Sequence, residues 1–161
     1  MLDASTVQND ALQIYQKICG VLDARKWRYT KDDAALDIFF EVKGEDLPMN
    51  MRIAVNAERH LVMVVSPMPF KVAENRRLDI AIAVCAVNSL SVEGNFDYDI
   101  ETGTLGFRIT QSFLESDIST TALDTMITLS CGFVDKFNDK FMAISTGALD
   151  IQRFLEEWFT R

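Results

Sequence analysis

Apolar residues recur along the chain with two different periods, and each change of period marks a predicted element. Within residues 5–23 the apolar spacing of three and four is typical of an amphipathic helix. Segments 36–43 and 49–56 alternate apolar and polar side chains, which indicates two half-buried strands. Segment 60–66 is apolar on both faces, so we expect a strand that is central in the sheet or covered on both sides. Residues 27–30 are a candidate for a further short strand.

The second half of the chain predicts a helix, a hairpin and two more helices. The helix covers residues 74–90, the two-stranded hairpin covers 95–110, and the last helices cover 119–144 and 148–160. The predicted order is α-β-β-β-α-β-β-α-α, which favours an α+β fold with an antiparallel sheet of about five strands. No stretch has the Pro-, Gly- or Ser-rich composition of a linker, so we expect residues 1–161 to form a single domain.

The helix that begins near residue 74 is apolar nearly all round between residues 78 and 87, which predicts burial on more than one side. One side carries Leu78, Ala81, Ile82 and Cys85. The other side carries Ile80, Val84 and Val87. Two interpretations remain open: ordinary burial between the sheet and other helices, or a homodimer interface that uses Ile80, Val84 and Val87.

A second candidate surface is the face of the first sheet that points away from the core. We predict that it carries Phe39, Ala54, Val62 and Val64. An uncovered apolar face of this kind usually marks a binding site. The apolar residues of the terminal helix, among them Trp158 and Phe159, could cover it, and covered and uncovered faces remain alternatives. The hypothesised protein-binding residues are therefore Phe39, Val62, Val64, Trp158 and Phe159.

Composition and charge narrow the classes of function. The chain of 161 residues is 48% hydrophobic and has a formal net charge of -8, which disfavours binding to a nucleic-acid backbone. The three cysteines form no C-x-x-C pair and lie in apolar patterns, so we expect a reducing compartment. The first ten residues lack a signal-peptide pattern, and no apolar run is long enough for a membrane span, so we expect a cytoplasmic protein.

Candidate chemistry is sparse in this sequence. His60 is the one histidine, and without neighbouring His or Cys ligands it does not predict a metal site. The paired carboxylates Asp32-Asp33 are explained by a solvated turn, and Arg76-Arg77 by a solvated first helical turn or by an anion or partner contact. We find no nucleotide-binding or nucleophile motif, and we therefore expect a non-enzymatic protein with no catalytic residues, no cofactor and no metal.

The region from the helix 74–90 to about Phe141 resembles the YbjN-domain family of bacterial proteins. The resemblance rests on the segments Val87-Asn88, Gly94–Asp99, Glu101–Gly103, Leu105–Arg108, Ser119–Leu123 and Asp135–Phe137. It implies the type III secretion chaperone fold, whose members are small, acidic, often dimeric and bind polypeptide segments along apolar patches. The helix after Gly147 is an addition to that pattern.

The resemblance implies a chaperone-like or regulatory module that binds a protein partner, as a homodimer, in bacterial signalling or stress regulation. A type III secretion chaperone for an effector protein is one alternative. An enzyme or a small-ligand-binding protein with an unrecognised site is the other.

Overall fold

The computed structural model describes residues 4–160, and within that range the chain forms four α-helices and six strands. In chain order the elements are α1 (Ala4–Ala24), β1 (Thr30–Asp32), β2 (Asp37–Lys43), β3 (Pro48–Asn56), β4 (Leu61–Pro67), α2 (Arg77–Asn88), β5 (Asn95–Asp99), β6 (Thr104–Ser112), α3 (Thr120–Thr146) and α4 (Ile151–Phe159). The predicted α+β class is confirmed, with one strand more than expected. All three residues of that strand, β1, are exposed, so it has no apolar alternation that the sequence could reveal.

All six strands form one antiparallel sheet in the order β1-β2-β3-β4-β6-β5. The register aligns Ile38, Ile53, Val64 and Ile109 across four neighbouring strands, and all four are buried. Helix α3 packs on the central strands, α1 on β3 and α2 on β5. The core therefore lies between one face of the sheet and the layer of helices.

The opposite face of the sheet has no helix against it within the described residues. Its central row consists of Phe39, Arg52, Val65 and Arg108, which are aligned in register, and none of them is buried. Phe39 is 42% exposed, although it is a large apolar side chain. We call this surface the outer face. The molecule thus has two layers, with one side of the sheet open.

Two of the residues predicted for the outer face lie elsewhere. Val62 and Val64 are 0% and 1% exposed and point into the core, so that placement is wrong. Every side chain from Leu61 to Val65 is apolar, so a period of two cannot distinguish the faces of β4. The register decides instead, because it sets Val62 beside Val55 and Val64 beside Ile53.

The side of α2 that was predicted to face a partner subunit faces the core. Ile80, Val84 and Val87 are at most 7% exposed, so the prediction of a dimer contact through them is wrong. The other apolar side of α2 is the exposed one, with Leu78 at 70% and Ile82 at 48%. Both sides are apolar in the sequence, so the pattern could not tell which one packs on the sheet.

The terminal helix packs on the helical layer rather than on the outer face. The Ser119 side chain caps α3 by accepting a hydrogen bond from the Ala122 amide, and Gly147 ends α3 with a left-handed φ of 79°. The chain then reverses, and the Asp150 carboxylate caps α4, which contacts α2. The alternative in which α4 covers the outer face is therefore wrong.

Candidate interaction surfaces

The outer face combines apolar side chains with arginines whose charges are neutralised within the sheet. Arg52 Nη2 lies 2.7 Å from Asp37 Oδ2, and its guanidinium carbon lies 5.9 Å from the centre of the Phe39 ring. Arg108 Nε lies 2.5 Å from Asp97 Oδ2. Because both guanidiniums are paired with carboxylates, they add little net charge to the outer face, and Arg52 also lies against the Phe39 ring. Such a surface suits a partner that contributes apolar side chains.

A second exposed apolar surface runs along α2. Leu78, Ile82 and Cys85 lie at intervals of four and three residues, so they share one side of the helix, and all three are exposed. We call this surface the α2 stripe. The sequence identified these residues as one side of α2, but it gave no reason to prefer that side over the buried one.

The residues predicted on the terminal helix have separate roles. Trp158 Nε1 donates a hydrogen bond to the Ala86 carbonyl at 3.2 Å, and its ring meets Phe137 edge-on with centroids 5.0 Å apart. Trp158 therefore anchors α4 on α2 and α3. Phe159, by contrast, is 61% exposed and remains accessible to a partner. Of the five residues predicted to bind protein, the structure places Phe39 and Phe159 at the surface.

Three pKa shifts, those of Cys131, Tyr15 and Asp99, are explained by packing and by a turn. Burial raises the pKa of the Cys131 thiol to about 11, which keeps it protonated and a poor nucleophile at neutral pH. Burial and a hydrogen bond to Asp33 raise the pKa of Tyr15. Hydrogen bonds from the Thr102 hydroxyl and from the amides of Thr102 and Glu101 lower the pKa of Asp99. Each shift therefore has a structural cause.

His60 occupies a turn and not a cluster of ligands. It adopts a positive φ of 53° immediately before β4, and its ring lies 5.7 Å from that of Phe113. Across residues 4–160 no group of three or more His, Cys, Asp and Glu side chains is arranged to hold a metal ion. In the same range, none of the helices combines the length and the hydrophobicity that a membrane crossing requires.

Comparison with known proteins finds similarity in structure and none in sequence. No family model matches the chain, and no curated protein matches it. The crystal structure of YbjN from E. coli aligns with a TM-score of 0.58 at 10% identity, over 83% of this chain and 92% of that one. A chain of the ExsC–ExsE complex aligns with a TM-score of 0.56 at 8% identity, over 79% of this chain and 92% of the matched chain.

The chaperone–effector complex of HopA1 and SchA aligns with a TM-score of 0.52 at 9% identity, over 84% of this chain and 96% of that one. At these identities the likeness shows the fold alone. The chain therefore has the fold shared by YbjN and the type III secretion chaperones, as the resemblance of its second half implied.

Proposed function

We propose that this chain is a non-enzymatic, chaperone-like module that binds a segment of another protein, and that it acts in the cytoplasm as a homodimer. The observation that carries the proposal is the open outer face on a fold whose neighbours include complexes with protein partners. ExsC is paired with ExsE, and SchA with the effector HopA1. By analogy, we propose that this chain binds a partner protein and buries part of the partner's apolar surface, which removes that surface from water.

Phe39 is the proposed centre of the contact. It is the large exposed apolar residue of β2, and the cation of Arg52 rests against its ring. Aromatic residues, including phenylalanine, and arginine are both enriched in protein interfaces. Phe159 is a second proposed contact, on the helical layer. The α2 stripe is the proposed dimer interface, because a row of apolar side chains on one helix is what an isologous contact buries.

A photo-crosslinking experiment tests the proposal at Phe39. The aromatic crosslinker p-benzoylphenylalanine takes the place of Phe39 in the full chain, in the bacterium that naturally produces it, and the cells are irradiated. We expect one discrete covalent adduct with a second polypeptide. The same crosslinker in place of Glu58, in the exposed turn between β3 and β4, is the matched control and should give no such adduct.

Equal adducts at both positions, or none at Phe39, would contradict the proposal. The identity of the adduct also separates two versions of the function. A partner that the bacterium exports, and whose export stops when this chain is deleted, supports the effector-chaperone alternative, which the SchA–HopA1 similarity favours. A partner that stays in the cell supports a regulatory role in signalling or stress.

A further inference from the structure

A cleft of about 560 Å³ opens between the loop that follows α2, the end of β6 and the first half of α3. Two core residues, Ile109 and Met126, form its floor, since both line the cleft and both are buried. Ala122 and Leu129 line it from α3 and are half-buried. Small-molecule sites in proteins have volumes of about 300–1,000 Å³. The cleft is therefore large enough for a small organic ligand and offers it an apolar surface.

The loop between α2 and β5 brings an apolar and a charged side chain to the rim of the cleft. Val92 and Glu93 are adjacent, both line the cleft, and Val92 is 94% exposed. The loop is compact, because the Ser91 hydroxyl donates a hydrogen bond to the Gly94 carbonyl. An apolar ligand in the cleft would contact Val92 and remove part of its surface from water. The neighbouring carboxylate favours a ligand that also carries a charge.

The charge of the cleft is negative and uncompensated. Glu93 forms no ion pair within residues 4–160, and it also lines a smaller depression of about 320 Å³ that continues along β6. The cation in that depression, Arg108, is paired with Asp97. Among the described residues that line the cleft itself, none is a lysine, an arginine or a histidine. A cationic ligand would therefore supply the partner that Glu93 lacks.

A second polar group of the cleft has no proton to give to a ligand. The Thr125 hydroxyl donates to the Thr121 carbonyl at 2.9 Å, so its oxygen offers a ligand only lone pairs. An ionised carboxylate such as that of Glu93 also only accepts hydrogen bonds. An ammonium group is the complement of such acceptors, because it has three donors and no acceptor.

The size of the apolar surface distinguishes a free amine from the side chain of a lysine. A lysine carries its ammonium on a stem of four carbons, which covers little of a cleft of about 560 Å³. A free amine with a longer apolar body covers more of the floor and also reaches Val92. A second copy of this chain would bring Glu93 toward Glu93 across a two-fold axis, which disfavours self-association through the cleft.

We infer that this cleft binds a small organic cation, a primary amine with an apolar body longer than a lysine side chain. The ammonium group pairs with Glu93, and the apolar body lies on Met126 and Leu129. The inference goes beyond the proposed function, and the cleft includes neither Phe39 nor any residue of the α2 stripe. Its failure would therefore leave the proposed contacts with proteins unchanged.

Four small molecules test the inference on the full chain by nuclear magnetic resonance titration. The probe is octylamine, a cation at neutral pH. Octanol has the same apolar body without the charge, octanoate has an anion in its place, and Nα-acetyl-lysine methylamide carries the amine on a lysine side chain. We expect octylamine to bind at least about fivefold more tightly than each of the other three, because only it satisfies both the charge and the apolar surface. The shifted amide signals should be those of residues 92–93, 109–111 and 122–129.

Three substitutions locate the binding. Glu93→Gln removes the charge at nearly constant size and should make octylamine and octanol bind equally. Ala122→Leu fills part of the cleft and should weaken both ligands about fivefold or more, with unchanged circular dichroism. Glu45→Gln, at an exposed residue of the turn between β2 and β3, is the matched control and should keep the native preference for octylamine. If Ala122→Leu does not fold, the comparison of Glu93→Gln with Glu45→Gln decides.

Four outcomes would overturn the inference. Octylamine fails to bind, it binds no better than octanol, its preference survives in Glu93→Gln, or folded Ala122→Leu binds it as well as the native chain does. Tighter binding of the lysine derivative would assign the cleft to a side chain of a partner protein, which overturns the assignment to a free amine. Shifts at the same residues that grow with protein concentration, without any ligand, would assign the cleft to a second copy and have the same consequence.

Discussion

Asn88 holds the end of α2 against β5 with both ends of its side-chain amide. Its Nδ2 donates to the Phe96 carbonyl at 2.9 Å, and its Oδ1 accepts from the Phe96 amide at 2.8 Å. These are the main-chain groups of β5 that point away from β6. Phe96 is buried against the rings of Phe107 and Phe141, with centroids 5.1 and 4.9 Å away. Asn88 thus fixes an aromatic centre of the core.

We therefore expect Asn88→Ala to lower the free energy of unfolding by about 1–3 kcal/mol, because it leaves two main-chain groups of Phe96 without partners. Urea unfolding followed by circular dichroism measures the change. Asn75→Ala, at an exposed asparagine, is the matched control and should stay within about 0.5 kcal/mol of the native chain. Equal effects in the two variants would show that the Asn88 bridge contributes nothing to stability.

At the same scale, the sequence predicted side-chain direction only where polar residues marked one face. Phe39 stands between apolar neighbours, yet the acidic residues two positions away on either side, Asp37 and Glu41, assign it to the outer face. Val62 and Val64 have the polar residues His60 and Ser66 two positions away, but Ser66 is itself buried, so these neighbours do not mark a solvent face. The direction of both valines comes instead from pairing with β3. Pairing depends on contacts far apart in the chain, which local periodicity does not contain.

Helix α4 is anchored on the helical layer mainly by two aromatic residues, Phe154 and Trp158. Phe154 is buried and Trp158 half-buried, while Phe159 and most of the polar residues face solvent. Besides its contact with Phe137, the Trp158 ring stacks parallel to Phe154 with centroids 6.5 Å apart, and Lys136 Nζ lies 5.2 Å from its centre. A short terminal helix depends on such packing, because propensity alone does not stabilise it.

We expect Trp158→Ala to release α4 while the sheet stays folded. The decrease in the free energy of unfolding should be smaller than the roughly 3–5 kcal/mol that truncation of a fully buried tryptophan causes, since this ring is half-buried. Hydrogen exchange followed by mass spectrometry should show rapid exchange in residues 151–159 and unchanged exchange in β3 and β4. Phe159→Ala, on the same helix but 61% exposed, should leave α4 protected. A fully protected α4 in Trp158→Ala would contradict this account of how the helix is anchored.

Among the elements, the helices and the hairpin were predicted because their periods are long and regular. Strand β1 was predicted only roughly, since the candidate strand 27–30 overlaps it at Thr30 alone. It is defined by its pairing with β2 and carries no apolar pattern of its own. The bounds of such a strand become visible only in the register.

At the scale of the whole molecule, the outer face and the α2 stripe lie on different layers. The outer face belongs to the sheet, while the α2 stripe belongs to the helical layer. A dimer through the α2 stripe would therefore leave the outer face of each subunit accessible. The arrangement is compatible with a dimer that binds two segments, or one long segment that passes from one subunit to the other.

The oligomeric state tests that arrangement. We expect light scattering to give twice the chain mass for the native protein, and the chain mass for Ile82→Glu with unchanged circular dichroism, because a charge in the α2 stripe must be desolvated when the interface forms. Leu12→Glu, at a leucine that is 41% exposed on α1, should remain a dimer. Val84→Glu should unfold the chain instead, since Val84 is 7% exposed and faces the core.

The exposed Cys85 thiol gives a second readout of the same interface, because its alkylation should be faster in the Ile82→Glu monomer than in the native dimer. A native chain that stays monomeric across a concentration series, or an Ile82→Glu variant that stays dimeric, would remove the α2 stripe as the dimer interface and leave the outer face of the sheet as the main proposed contact with other proteins.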